Sequence, residues 1–568
     1  MPSLCQSFYL KGQITDEKGN GISNLRIDLQ SARASYVSGS GGYFGISSSR
    51  PADTLIIYYS RNDTVKKFID ASQFNTVVIR SEKLLSTRTI RQLSSISLNR
   101  RQLAPRQSYL ANETYSTTVE NPFFTADEYS ATQLALSYNR ASYSNLRRFL
   151  KLNMQVPPDA VRIEEMLNYF PWSYREPEPG ETFRMSSVIT PCPWNKQHQL
   201  LFLNVYAKKL QLENLPPSHL VFLIDVSSSM NLPNRLPLLK SAFRVLVANL
   251  RAKDTVSIVV YGGTTRVLLT ATSGIEKQKI TNVIDSLQAG GSTPGESGIK
   301  LAYKIARNHF IRGGNNRVIL ATDGDFNVGV RSEDELEQLI TLQKNAGVYL
   351  TCLGVGMGDY KDSKIQALAQ KGHGNFAYLD SYAEAEKVLF KEFFETLYTV
   401  ADEVSMRVQF NNAVVKDYRL IGYDNKVSSI RDKTAVIQGG EIGAGNSLLI
   451  AFEIAQKNPT VEDTVADISL LYLDKTGTYR TFKYTAFYNS LQPIETDPSY
   501  QLASAVMMFG MKLKNSPYTR KTRWEYIYGL AKPVARMNYI DQELLQLMQV
   551  AKTIYKKERR FRLFRSSR

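Results

Sequence analysis

The stretch VFLIDVSSSM, residues 221–230, decides the fold. Four apolar residues run straight into Asp225, and three hydroxyls follow. A buried strand that ends on a carboxylate and a serine cluster leaves four uses open: a nucleophile, a phosphate site, a helix cap or a metal site.

Outward from it, residues 219–400 alternate between two periods. Apolar strands are expected at 220–226, 255–261, 317–322, 348–355 and 375–379, with a more polar one near 265–271. Helical stretches are expected between them, at 237–250, 276–288, 295–310, 333–346, 363–371 and 382–397. Continuous Val/Ile/Leu strands separated by amphipathic helices imply a largely parallel sheet covered on both faces. This is the Rossmann-like, doubly wound α/β class, whose ligands bind outside the carboxyl ends of the strands.

The flanks read differently. Residues 8–81 alternate with turn punctuation and imply a small β-sandwich. Gly12, Asp16, Gly19 and Gly21, followed by the turn Gly41-Gly42-Tyr43-Phe44, resemble the carboxypeptidase regulatory-like domain. That resemblance implies a structural or spacer role and brings no peptidase site. Residues 82–118 are rich in Ser, Arg and Gln and read as a linker. Residues 119–182 are expected to be partly helical, with helices around 142–152 and 159–169, the second opened by PPDA. Strands expected in 183–218 and 401–490 would pair into one further sandwich, with the α/β block inserted between them. Residues 491–568 read as a helical region with a basic tail. The expected class is therefore multidomain α/β plus β.

The bulk numbers set limits. The 568 residues carry 70 basic and 53 acidic side chains, a net charge of +17. Such an excess suits an anionic partner, yet part of it sits in residues 88–107 and 556–568, which read as a solvated linker and tail. No nucleic-acid motif lies beside them. Three cysteines, Cys5, Cys192 and Cys352, make no disulfide framework, and Cys352 lies in an apolar run that suggests a core position. The four histidines, His198, His219, His309 and His373, lack zinc-ligand spacing. No run of 18 apolar residues is present, so no membrane-spanning segment is expected.

Three clusters converge on one rim of the expected sheet. Asp225, Ser227 and Ser229 form D-x-S-x-S at a strand end. GGSTPGESGI places Thr293 at a helix start, and VILATDGDFNVG ends a strand on Asp323. Hydroxyl and carboxylate oxygens suit a hard divalent cation, and magnesium keeps waters and near-octahedral geometry. With only two acids at such a site, an incoming carboxylate supplies the missing charge.

D-x-S-x-S, the threonine and the T-D-G triplet resemble the metal-ion-dependent adhesion site of von Willebrand factor A-type domains. PPDAVRIEEM, NYFPWSY, PCPWN, YRLIGYDN and EIGAG extend the likeness over roughly residues 119–555, to a bacterial family with its own amino- and carboxy-terminal extensions. The resemblance implies one Mg2+ (or Mn2+), with Ser227, Ser229 and Thr293 as ligands and Asp225 and Asp323 holding waters. Ser228 stands where relatives often carry glycine. Glu296, at the first turn of a helix, reads as a solvated acid favoured by the dipole.

A serine nucleophile would need a base, and neither a G-x-S-x-G elbow nor a placed histidine is apparent. A phosphate loop would need a lysine that GGSTPG lacks. The expectation is a non-catalytic module that grips an acidic residue of a protein partner through the metal. The alternative is a scaffold subunit of a cell-envelope complex whose metal is structural. The domain pairing resembles exported bacterial proteins, which implies the periplasm or cell surface.

Overall fold

The computed structural model describes residues 8–79 apart from short turns, then 113–211, 214–291, 295–324, 332–424 apart from a few single positions, 439–457, 463–488 and 497–565. Cys5, the basic stretch 88–107, Thr293, Asp325 and His373 lie outside the described residues. The chain divides into two compact units, 1–117 with 216–390, and 118–215 with 391–568.

In the first unit, residues 8–79 build two small sheets. One has the order Tyr43–Ser48, Phe8–Thr15, Phe74–Val78; the other runs Ser35–Val37, Arg26–Leu29, Ala52–Tyr58, Thr64–Asp70. Ala52–Tyr58 alternates strictly between buried and partly exposed residues, as a half-buried strand must. Leu10, Ile14, Ile27, Phe44, Leu55 and Ile57 form a fully buried core.

Residues 218–378 carry the doubly wound sheet. Its order is Arg266–Ser273, Thr255–Tyr261, Ser218–Asp225, Asn315–Thr322, Val348–Gly354, Phe376–Tyr378, all parallel except the antiparallel first pair. Every residue of Ser218–Asp225 is buried, because helices cover both faces. The chain's progression reverses between Ser218–Asp225 and Asn315–Thr322, and that switch opens a crevice at their carboxyl ends. Asp225 and Asp323 sit at those two ends. Cys352 is fully buried in the core of this sheet.

Three readings change here. The helix expected at 382–397 is the short Tyr382–Glu386, continued by one π-type turn, Lys387–Lys391. In the second unit, the helix expected at 159–169 is split into a 3-10 turn, Pro158–Ala160, and a helix, Ile163–Asn168. Val161 and Arg162 between them are extended because Ser142 Oγ donates to the Ala160 carbonyl and accepts from Arg162 N–H. Third, the basic tail is helical as far as Arg565, within Tyr539–Arg565. Lys552 and Lys556 pair with Glu525 and hold this helix against Trp524–Ala531.

Of the stretch read as a linker, residues 113–117 are described. Thr114 bridges Lys361 in parallel, and Glu113 Oε1 accepts from Gly358 N–H at 2.8 Å. This segment is laid on the loop that follows Val348–Gly354.

The second unit has two sheets. One runs Phe183–Pro191, Gln199–Ala207, Ser447–Gln456, Val415–Ile421, Phe124–Thr125; the other runs Gly440–Gly443, Thr399–Phe410, Thr464–Leu473, Tyr479–Phe487, with Ala131–Ala135 paired to Thr399–Phe410. They face each other: Phe410 of the second stacks on Tyr418 of the first at 4.2 Å. Helices Ala141–Lys151, Pro498–Leu513 and Tyr539–Arg565 complete the unit, tied by the buried pair Arg147–Glu543 at 2.8 Å.

A buried charge cluster in this unit yields a pH prediction. Lys514 pairs with Asp424, and Asp159 accepts from Thr118 N–H at 3.0 Å. Burial pushes the Asp159 carboxyl up to about 7, and burial with the Asp424 charge pushes Glu164 up as well. Both acids therefore hold a proton more tightly folded than unfolded. The stability they contribute is full below about pH 4 and is lost as pH rises through about 7. The urea midpoint of this unit should be higher at pH 5.5 than at pH 8, and Asp159→Asn should reduce that difference, leaving the share of Glu164. Trp172, Trp194 and Trp524 all lie in this unit, so tryptophan fluorescence measures it alone.

Candidate functional site

The turn after Ser218–Asp225 is built from backbone hydrogen bonds to Tyr261 and to the glycine pair Gly290-Gly291. Val226 N–H donates to the Tyr261 carbonyl at 2.8 Å, and Gly290 N–H to the Val226 carbonyl at 2.7 Å. Ser228 points out to solvent, with both its N–H and its hydroxyl donating to the Gly291 carbonyl. Gly262, with φ of +151°, lies so close that a Cβ there would stand 2.6 Å from the Val226 carbonyl carbon. Met230 plugs the core below a single 3-10 turn, Ser228–Met230.

That turn aims Ser227 and Ser229 the other way. Their hydroxyl oxygens are 3.1 Å apart, and Ser227 N–H donates to Asp225 Oδ1 at 2.9 Å. Asp225 Oδ2 accepts from Thr322 Oγ1 at 3.1 Å, which joins the two strand ends across the crevice. Asp225 and Asp323 are both fully buried. Burial first, then the negative charge of Asp323, pushes the Asp225 carboxyl up to about 6. Two acids in such a place call for positive charge.

The structure thus brings Asp225, Ser227, Ser229 and Asp323 to one place, whereas Thr293 lies outside the described residues. The donor set fits a hard cation. Neighbouring vertices of an octahedron with bonds of about 2.1 Å are about 3.0 Å apart, close to the separation of the serine oxygens. Among the described residues no three His, Cys, Asp or Glu side chains gather as a metal cluster, so a cation here would depend on hydroxyls.

Arg235 was missing from the sequence reading. Its Nη1 donates to Asp323 Oδ2 at 2.6 Å and to the Ser229 carbonyl at 2.7 Å, and Nη2 donates to the Met357 carbonyl at 2.8 Å. Arg235 stands at the amino-terminal boundary of Leu236–Ala248, where the helix dipole disfavours a cation, but that placement names no partner for it in the sequence. Glu296 forms an i,i+4 pair with Lys300 at 2.6 Å on a partly exposed helix face. His219 stands six residues before Asp225 on the same strand, about 20 Å away at ~3.3 Å per residue. Its Nε2 hydrogen-bonds Ser257 Oγ at 3.0 Å, and burial pulls it down to about 4. It is too far away to act as a base for Ser227.

Comparisons with known proteins bear on this geometry. Residues 219–392 match the model of the von Willebrand factor type A domain. Residues 109–202 match one described as von Willebrand factor, and 395–485 match the C-terminal region of the uncharacterized protein YfbK. YfbK of Escherichia coli K12 is 38% identical over 432 residues, which cover 72% of this chain and 75% of that protein. Among solved structures, a von Willebrand factor type A protein from Catenulispora acidiphila is 14% identical with a TM-score of 0.39, covering 63% of this chain and 88% of its own. The ArnB paralog VWA2 from Sulfolobus acidocaldarius is 17% identical with a TM-score of 0.34, covering 66% and 98% respectively. Domains of the A type commonly serve as protein-interaction modules. No helix among the described residues is long and apolar enough to cross a membrane. The chain belongs to the family of bacterial von Willebrand factor A-type domain proteins that includes YfbK.

Proposed function

We propose that this protein is a non-catalytic binding module that holds one Mg2+ (or Mn2+) at the switch point and grips an acidic residue of a protein partner through it. Ser227, Ser229 and Thr293 would supply oxygens directly, and Asp225 and Asp323 would hold metal-bound waters. The ion supplies a Lewis-acidic vertex to which a partner's carboxylate adds charge and a ligand. The observation that carries the reading is the serine pair, two hydroxyl oxygens 3.1 Å apart beside two fully buried carboxylates. The first eighty residues would act as a spacer of the carboxypeptidase regulatory-like kind, in a protein working outside the cytoplasm.

The test has two arms. Calorimetric unfolding of the A-domain in Mg2+ on the order of 100 times Kd should show a midpoint raised by roughly 5–10 °C, because a ligand that binds only the folded state stabilises it. Asp225→Ala should abolish that rise. Partner capture in Mg2+ should be lost on adding a chelator. A partner that stays bound in chelator, while the Mg2+ rise persists, would mean that the metal is structural and the grip is elsewhere.

A further inference from the structure

Arg235 is almost completely buried, at 3% exposure. Burying a guanidinium costs several kcal/mol unless it is paired. Nη1 and Nη2 are matched while the buried Nε has no hydrogen-bond partner among the described residues, and the partners show what the side chain is for. It joins three segments: the serine turn through the Ser229 carbonyl, the end of Asn315–Thr322 through Asp323, and the next strand's loop through the Met357 carbonyl. The loop is shaped around it. Gly356 has φ of +82°, and a Cβ there would stand 2.5 Å from Arg235 Nε.

The charge has a consequence for what the site binds. Among the groups in direct contact, Asp225 and Asp323 contribute two negative charges and Arg235 one positive charge. The site is therefore −1 without metal and +1 with a divalent ion. Without Arg235 the loaded site would be neutral. A fixed positive charge beside a cation weakens its binding and strengthens that of an anion arriving at the same vertex.

We propose that Arg235 is a positioning and selectivity residue: it fixes the Asp323 carboxylate and leaves the metal-loaded site with the positive charge that selects an anionic ligand. This rests on the metal reading above and adds a residue to it. The arrangement trades metal affinity for ligand affinity, so the site is biased to hold its ion best when a carboxylate is also present. Lysine keeps the charge and loses the fork; methionine keeps the stem and loses the charge.

The experiment uses the full chain with Mn2+ alone, then acetate, followed by water proton relaxation of the bound Mn2+. Arg235→Met should bind Mn2+ about tenfold more tightly than wild type, and acetate should displace Mn2+-bound water at about tenfold higher concentration. The Mn2+-induced rise in melting temperature should also be larger in Arg235→Met, since the ion then compensates an otherwise unpaired Asp323. Arg235→Lys, which keeps the charge, should stay within about threefold of wild type for both ligands. A purely structural arginine would instead lower the melting temperature at least as much with Mn2+ as without, leaving the Mn2+-induced rise unchanged or smaller and metal binding no tighter; that result, or lysine behaving as methionine does, overturns the proposal. If Arg235→Met does not fold, the lysine variant decides. If the wild-type chain itself binds no Mn2+, the metal reading falls and this one with it. If wild type binds Mn2+ and the variants respond in the wrong direction, only the role of Arg235 falls.

Discussion

Glu453→Ala should destabilise the β-rich unit by about 3–5 kcal/mol, the range for removing one partner of a buried ion pair. Glu453 and Arg419 are directly opposite each other on adjacent antiparallel strands, and both are almost fully buried. Arg419 Nη2 donates to Glu453 Oε2 at 2.6 Å, and the guanidinium lies 3.6 Å from the centre of the Tyr518 ring. The same carboxylate accepts from Trp194 Nε1 at 3.0 Å and bonds His198 Nδ1 at 2.7 Å. Burial opposes ionisation of Glu453, but the bonds from His198, Arg419 and Trp194 outweigh it and hold the acid below its ordinary range. Alanine removes all of these acceptors and leaves Arg419 charged in the core. Urea unfolding followed by tryptophan fluorescence should show the loss as a lowered midpoint with little change in slope. Glu453→Gln should cost less, because its carbonyl still accepts. Since this acid is depressed, the stability it contributes is present above about pH 4.5 and is lost as pH falls through its folded value, opposite in sign to Asp159.

Gly262→Ala should abolish the proposed metal response without unfolding the protein. A Cβ at this position collides with the Val226 carbonyl carbon and, at 2.7 Å, with Ser227 N. Backbone that close cannot move aside as a side-chain tip can, and the positive φ adds strain of order 1–3 kcal/mol. The turn must shift outward and carry Ser227 Oγ with it. A displacement of about 1 Å is enough to ruin the proposed Mg2+ site, which would demand near-ideal octahedral geometry. Gly313→Ala is the control. It has φ of +71° with nothing within 4 Å of the added carbon, so it carries backbone strain without collision. It should lower the melting temperature slightly and leave the Mn2+ titration unchanged.

The doubly wound sheet was legible because its strands are continuous apolar runs, a signal that survives with no knowledge of neighbours. The candidate site was legible in part for the same reason: Asp225 follows such a run immediately, and Asp323 follows one after a single threonine. Arg235 was not, since NLPNRLP reads as a generic loop opening a helix, and only folding brings it against Asp323. The Arg419–Glu453 pair was hidden differently. In YRLIGY and LLIAFEI each charge reads as the outward residue of an alternating strand, and only the register shows that both point inward at each other. The split at Val161–Arg162 escaped because its cause, the Ser142 hydroxyl, lies twenty residues upstream.

The pairing of Gln199–Ala207 with Ser447–Gln456 has a consequence for synthesis. The first of these strands leaves the ribosome about 240 residues before its partner, or roughly 12–48 s earlier at ~5–20 residues per second. Until then its neighbour is Phe183–Pro191, and a two-stranded hairpin is at best marginally stable in water. Every residue of Leu200–Ala207 is buried in the finished protein, so the nascent chain displays an apolar ribbon while the whole inserted A-domain is made. The interval is a window in which a chaperone that shields apolar strands would find its target between residues 183 and 207, before the rest of the sheet exists.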